Sequence, residues 1–291
     1  MPHRLFFFET MDKVRVIALT TYREAVRQPI YYVLVASFAA LILLSNFTTL
    51  FAFEQEGRMV REMAVSSVVL CGALLSIVMA GTVVTAEMER RTALTILSKP
   101  VTREQLLLGK YVGLLRAQLS AFLLLLCSLL LTVWWHDGQE GLEDAVRKSP
   151  ADPDVVWAYM GSYWTHQILP AAGCVLLGFF EVAILCAACV VVAFHFPMVV
   201  TASVCLGLYL LGHISRYLHD SIATIGPLAR WAARVLYLLL PTLDAYNLSD
   251  YVAGGGSLSP RYLGLSSLYA AAYVALVLFV GARLLARKEI Q

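Results

Sequence analysis

The sequence predicts an all-α integral membrane protein that crosses the bilayer several times. Hydrophobic residues make up 59% of the 291 residues and charged residues only 14%, and the mean hydropathy is +0.73. Soluble domains carry about 25% charged and 45–50% apolar residues, so a soluble core could not bury this excess. The apolar residues also fall into runs of about 20, which is the length of a helix that crosses the hydrocarbon core.

An amphipathic helix is predicted at residues 6–28, before the first long apolar run. Apolar and small side chains recur there at helical spacing, while Lys13, Arg23 and Arg27 lie largely off that stripe. Such a helix suits the cytoplasmic surface of a membrane. Pro29 is expected to end it and to turn the chain into the bilayer.

Six transmembrane helices are predicted after this segment. The apolar run from Ile168 to Ile214 would be about 70 Å long as one helix, which is too long for a single span. His195-Phe196-Pro197 interrupts it, so we expect two helices joined by a tight turn. Leu228 to Leu240 is too short to span and is predicted to be a re-entrant or interfacial outer helix before the last span. The predicted spans are about 30–51, 64–86, 112–135, 168–194, 198–214 and 262–285.

The distribution of charge predicts the orientation of these spans. Most of the 22 Lys and Arg residues fall in segments that are cytoplasmic when the amino terminus is inside, and the outer loops are rich in Asp and Glu. Six spans with both termini cytoplasmic satisfy the positive-inside rule, whereas five would place the basic carboxyl terminus outside.

The same composition narrows the classes of partner and the domain count. The net charge of +2 gives no reason to expect a nucleic-acid partner, and the apolar runs predict a lipid bilayer around the chain. We see no soluble domain and no internal repeat. Residues 1–291 are therefore predicted to form a single transmembrane domain.

The longest cytoplasmic segment, residues 87–111, carries the most informative pattern. Pro100 disfavours helix at Lys99, and Thr102 with Gln105 has the spacing of a capping box that starts a new helix. A helix, a sharp break and a second helix that runs into a span could transmit a push from a cytoplasmic partner into the membrane. The alternative is that these charges only solvate a loop.

Three short patterns in this segment resemble the type-2 ABC transporter permeases. They are Glu-x-Glu-Arg-x-Thr at 87–92, Leu-Ser-Lys-Pro-Val-Thr-Arg at 97–103 and Leu-Leu-Gly-Lys-Tyr at 107–111. Family members usually have glycine where Arg91 stands. Within the family, the chain looks most like the permeases associated with multi-copper enzyme maturation.

The resemblance implies a function, partners and site residues. It implies the membrane subunit of an ATP-binding cassette transporter, usually an exporter, in a bacterial inner (plasma) membrane. The permease would pair as a homodimer or with a second permease, and each copy would rest on a cytoplasmic cassette ATPase. The implied cassette-coupling residues are Glu87, Glu89, Arg90, Thr92, Ser98, Lys99, Pro100, Arg103, Gly109 and Lys110.

The chain itself lacks the usual nucleotide-binding loop. In the pattern GxxxxGK[ST], Glu104 stands where the first glycine is required before Gly109-Lys110. ATP and magnesium are therefore expected in the partner, and no cofactor is expected in this chain. Neither HExxH nor a complete GxSxG is present, so the chain is not expected to be an enzyme.

Glu181 is the one central carboxylate of the predicted spans. It would either contact a substrate or proton in the translocation path, or act as a protonated or hydrogen-bonded link between helices. The first interpretation supports an alternative function, an ion-coupled secondary transporter, although such carriers usually have inverted repeats. His213 and His219, with Asp220, are expected near the outer surface, where they could meet a metal or a substrate or, more simply, face headgroups and water.

The six cysteines lie inside apolar runs, which argues against a disulfide framework. Cys186 and Cys189 have CxxC spacing and could bind a soft metal. Two small residues one turn apart at a helix contact explain the spacing more simply, and no metal site is predicted.

Overall fold

A computed structural model describes residues 2–45, 56–85, 102–138, 153–221, 243–248 and 258–287, with the isolated positions 142, 146–147, 252 and 256. Within these residues the chain is helical and has no strand, as predicted. The helices are α1 Pro2–Arg27, α2 Pro29–Leu44, α3 Glu56–Met79, α4 Arg103–Val133, α5 Pro153–Tyr163, α6 Leu169–Ala193, α7 Met198–Ser221 and α8 Pro260–Arg287.

Several ends of these helices have a different helical form. Wider π-helical turns follow α3 at Ala80–Thr85 and α4 at Trp134–Gly138, and a third joins α5 to α6 at Trp164–Ile168. A short 3₁₀ helix, Leu243–Tyr246, precedes α8. The predicted outer helix at 228–240 lies outside the described residues.

Pro29 separates α1 from α2, as the sequence predicts. Gln28 is extended with ψ 132°, Pro29 occupies the first turn of α2, and Asp12–Arg27 is bent by 65° from Pro29–Leu44. Proline is tolerated in a first helical turn because it lacks only an N–H that has no partner there. The bend allows α1 to follow a direction different from that of α2.

Multi-pass character follows from the length and composition of the helices. Four helices are long and apolar enough to cross a membrane: Arg58–Thr85, Arg103–Val133, Asp154–Ala193 and Pro260–Ala286. The bent pair α1–α2 would give a fifth, and Met198–Ile214 is apolar but shorter. The architecture is therefore that of a multi-pass helical membrane protein, and the exact count of six spans stays a prediction.

The break at His195-Phe196-Pro197 is confirmed. Helix α6 ends at Ala193 and α7 begins at Met198. His195 caps the end of α6, since its Nδ1 lies 2.9 Å from the Val191 carbonyl oxygen. Helix α7 runs on to Ser221, beyond the predicted end at Ile214, so polar residues extend this helix past its apolar run.

Helix α6 lies at the centre of the described structure. It packs against α3, α4, α7 and α8, and most of its side chains are buried. Close approach depends on small residues, because a side chain at Gly178 would collide with Val69 of α3. Glu181 is therefore held in the middle of the bundle.

Candidate functional site

The capping box predicted at Thr102 is present at the start of α4. The Gln105 N–H donates to Thr102 Oγ1 at 3.3 Å, and the Thr102 N–H donates to Gln105 Oε1 at 3.1 Å. These two bonds satisfy backbone donors that a helix start leaves without partners. The first turn of α4 is thereby fixed within the predicted coupling segment.

Most of the predicted coupling residues lie outside the described residues. These are Glu87, Glu89, Arg90, Thr92, Ser98, Lys99 and Pro100. The structure does describe the last three, Arg103, Gly109 and Lys110, and each contacts another helix of the same chain. Their predicted role towards a cassette stays a prediction, but their internal contacts are clear.

Arg103 joins the start of α4 to the end of α8. Its Nη1 donates to the Leu285 carbonyl oxygen at 2.6 Å. The last carbonyls of a helix have no intrahelical partner, and a cation there also interacts favourably with the helix dipole. The amino end of α4 and the carboxyl end of α8 are therefore bonded to each other.

Two glycines allow α1 to pack closely on α4. A Cβ at Gly109 would lie 2.6 Å from Ile17 Cγ2, and one at Gly113 would lie 2.7 Å from the Ala18 carbonyl oxygen. Glycines four residues apart are a common means of bringing two helices into contact in membranes. Gly113 was not among the predicted site residues, although the Gly109-x-x-x-Gly113 spacing is visible in the sequence.

Lys110 adds an ion pair to the same contact. Its Nζ lies 3.9 Å from Glu24 Oε2 on α1, and the lysine side chain is only 4% exposed whereas that of Glu24 is 50% exposed. The long apolar stem of the lysine is buried in the contact between α1 and α4 while its ammonium group reaches the carboxylate. Helix α1 is thus held to α4 by both shape and charge.

Hydrogen bonds connect this region to α3 and α6. Thr82, in the π turn after α3, donates to Gln28 Oε1 at 2.8 Å, at the bend between α1 and α2. Thr85 donates to the Ala193 carbonyl oxygen at 3.5 Å, at the end of α6. Helices α1, α3, α4, α6 and α8 therefore meet around the two ends of the predicted coupling segment. We call this set of contacts the α4 base.

Glu181 does not stand alone, because His213 of α7 faces it. His213 Nε2 lies 3.5 Å from Glu181 Oε1, and the glutamate side chain is 2% exposed. The expectation that His213 faces headgroups and water is therefore wrong for its Nε2 atom, because α7 orients this side of the ring towards Glu181 of α6. The side chains of His219 and Asp220 lie outside the described residues.

A cavity of about 70 Å³ is lined by Glu181 and His213 among other residues. Its walls come from α3, α6, α7 and the 243–248 segment. The polar side chains that line it are Ser66, Glu181, Tyr209, His213, Tyr246 and Asn247. Glu181 Oε1 is buried and has no hydrogen-bond partner among the described residues.

Tyr246 fixes one wall of this cavity. Its hydroxyl donates to the Ser266 carbonyl oxygen of α8 at 3.0 Å, and Tyr262 donates to the nearby Ala245 carbonyl at 2.5 Å. Burial, and to a lesser extent the neighbouring Tyr269, raise the pKa of Tyr246, so its hydroxyl remains a donor at neutral pH. The 243–246 helix is thereby tied to α8.

A buried polar contact that the sequence analysis did not anticipate links α3 to α4. Gln118 Nε2 donates to Ser76 Oγ at 2.6 Å and to the Gly72 carbonyl at 3.2 Å. Polar side chains inside a membrane bundle commonly bond across helices in this way. The contact holds α3 against α4 deep in the bundle.

The cysteine pair Cys186 and Cys189 lies in the interior of the bundle. Cys186 and Cys189 are fully buried, and so is Cys205 of α7. The described residues contain no group of three or more His, Cys, Asp or Glu side chains that could hold a metal ion. The CxxC pair therefore packs at a contact between helices α6 and α7.

These features define a multi-pass helical membrane protein with a buried acidic cavity and a network of contacts at one end of its bundle. The sequence profile described as "ABC-2 family transporter protein" matches residues 15–288. The chain therefore belongs to the ABC-2 transporter family, whose members are membrane components of ABC transporters. No curated protein matches the chain. The match does not separate the multi-copper enzyme maturation group from the rest of the family, so that placement stays a prediction.

Proposed function

We propose that this chain is the transmembrane permease subunit that forms the transport path of an ABC transporter. A separate cytoplasmic cassette subunit supplies the energy by hydrolysing ATP, and it holds the nucleotide and magnesium. Transport runs outwards. The chain lies in a bacterial inner membrane with six spans and both termini in the cytoplasm, and it works as a homodimer or beside a second permease.

The observation that carries this proposal is the α4 base, taken together with the family match. Residues 87–101 precede the first turn of α4, where Arg103 is bonded to α8 and Gly109 and Lys110 contact α1. A cassette that docks on residues 87–101 would therefore push directly on α4. The hydrogen bond and close contacts that α4 makes with α8 and α1 would carry the movement to those two helices.

The ion-coupled alternative is not favoured by the family to which the chain belongs. An ion-coupled carrier is also expected to have several charged residues inside the bundle. Among the described residues, Glu181 is the single acid at the centre of a predicted span. Catalysis by this chain is likewise not expected, because ABC-2 permeases are transport components. The role of the chain is to move a substrate, not to transform it.

The test is to purify the tagged protein gently from its native membranes and to identify the proteins that copurify. A cassette ATPase should copurify with the wild type and be lost with the Glu87→Lys/Lys99→Glu double variant. Glu104→Gln is the matched control, because Glu104 is an exposed acid on the first turn of α4 and is not a predicted docking residue. Absence of any ATPase under mild conditions would refute the proposal. Copurification that survives the double variant would place docking elsewhere on the chain.

A further inference from the structure

We propose that the cavity lined by Glu181 and His213 binds a primary ammonium group. The inference deepens the proposed function, because it names a chemical group of the transported substrate. The binding itself requires no cassette and can be measured on this chain alone.

The first step is the hydrogen-bonding state of His213. Its Nδ1 lies 3.3 Å from the Tyr209 carbonyl oxygen, and a carbonyl can only accept, so Nδ1 carries the proton. The Nε2 atom of the same ring faces Glu181 Oε1 at 3.5 Å.

The second step is that Glu181 Oε1 has no hydrogen-bond donor among the described residues. The 3.5 Å between this oxygen and His213 Nε2 exceeds the usual 2.7–3.2 Å of an N–H···O hydrogen bond. Leaving a buried carboxylate oxygen without a donor is unfavourable. An –NH₃⁺ nitrogen placed about 2.8 Å from Glu181 Oε1 would donate to it at charge-assisted hydrogen-bond length.

The third step is the charge of the walls. Asp244 lies near enough to Glu181 to act on it electrostatically, and the described lining residues include no Lys or Arg. Glu181 therefore contributes an acidic group to a lining that has no Lys or Arg among the described residues. The ring of Tyr209, whose centroid lies 4.6 Å from that of His213, adds an aromatic wall of the kind that attracts cations.

The fourth step is size. A cavity of about 70 Å³ is several times the 10–15 Å³ that one water needs, and it is far below the 300–1,000 Å³ of a site for a drug-sized ligand. It therefore accommodates an ammonium group with a short stem. The rest of a larger molecule would have to lie outside the cavity.

The test uses the full chain in phosphatidylcholine nanodiscs and methylammonium chloride as the probe, with sodium chloride keeping the ionic strength constant. A ligand of two heavy atoms binds no tighter than the millimolar range, so the titration extends to about 100 mM. The melting temperature should rise saturably, by about 3–5 °C at ten times Kd. Tetramethylammonium has the same charge but no N–H donor, and it should give no rise.

Three variants locate the binding. Glu181→Gln keeps the shape and should lose the rise, whereas Glu104→Gln removes the same charge on an exposed turn and should keep it. Ser66→Met fills the cavity while leaving the acids in place, and it should also lose the rise. This variant keeps the test valid if Glu181→Gln does not fold, because Ser66 is an exposed residue of α3.

The proposal is overturned if methylammonium gives no saturable rise in the wild type, if tetramethylammonium gives the same rise, or if the rise survives in Glu181→Gln or Ser66→Met. Nanodiscs that contain phosphatidylethanolamine distinguish two sources of the amine. A smaller rise there would identify a lipid headgroup as a competitor, and an unchanged rise would identify a water-soluble amine. Loss of cassette copurification, by contrast, would leave this binding result untouched.

Discussion

A methyl group added at Gly113 tests how closely α1 packs on α4. In Gly113→Ala the new carbon would lie 2.5 Å from Thr21 Cβ and 2.7 Å from the Ala18 carbonyl oxygen, whereas ordinary contact begins near 3.4 Å. The oxygen belongs to the backbone, so no rotamer change relieves the collision. Helix α1 would have to move away by roughly 0.7–0.9 Å, which is an overpacking distortion.

The magnitude follows from this geometry. Overpacking of a well-packed contact costs about 1–3 kcal/mol, and 1 kcal/mol shifts the melting temperature of a chain of this size by about 2–4 °C. We therefore expect Gly113→Ala to melt roughly 2–12 °C below the wild type. Gly207→Ala is the matched control, because a Cβ at Gly207 meets nothing within 4 Å and alanine favours helix by up to about 1 kcal/mol.

The assay is tryptophan fluorescence during heating of the full chain in nanodiscs, at one scan rate for all variants, since unfolding of membrane proteins is often irreversible. Gly109→Ala should lie between the two other variants, because its collision is chiefly with the Ile17 side chain. A Gly113→Ala protein as stable as Gly207→Ala would refute close packing of α1 on α4. The α4 base would then lose its main contact.

Three further predictions concern single contacts. Glu24→Gln should lower the free energy of unfolding by less than about 1 kcal/mol, because the carboxylate that pairs with Lys110 is half exposed and water screens it. The melting temperature measures this change. Gln118→Leu removes the hydrogen bond to Ser76 inside the bundle and should lower the free energy of unfolding by about 0.6–1.7 kcal/mol in the same assay. A stabilised variant would contradict the interpretation that this bond holds α3 against α4. Arg103→Gln should speed hydrogen exchange in the last turn of α8, because the Leu285 carbonyl loses its donor; unchanged exchange would show that the bond contributes little.

The parts of the fold that the sequence predicts correctly are those set by local chemistry. Pro29 lacks an N–H and separates α1 from α2, and Pro197 likewise precedes the start of α7. The capping box at Thr102 requires only two side chains three residues apart. Such signals act within one turn of the chain, so one sequence is enough to identify them.

The candidate site is less predictable because it depends on how helices face one another. Glu181 is visible as an acid within an apolar run, but its neighbour His213 lies on the next helix, and the sequence does not give the rotation of α7. Gly113 was missed for a different reason. Its spacing from Gly109 was present, but we assigned Gly109 to cassette docking and did not consider a helix contact.

The π turn at Trp164–Ile168 has a consequence for how the chain tolerates changes in length. A π turn closes its hydrogen bond one residue later than an α turn does, so it holds one residue more. Removing a single residue there would convert it to an ordinary turn while leaving the core of α6 in place. A deletion inside α6 itself would rotate every following side chain by about 100°. The junction between α5 and α6 is therefore where we expect the bundle to accept a shorter chain, and where related sequences are expected to differ by one residue.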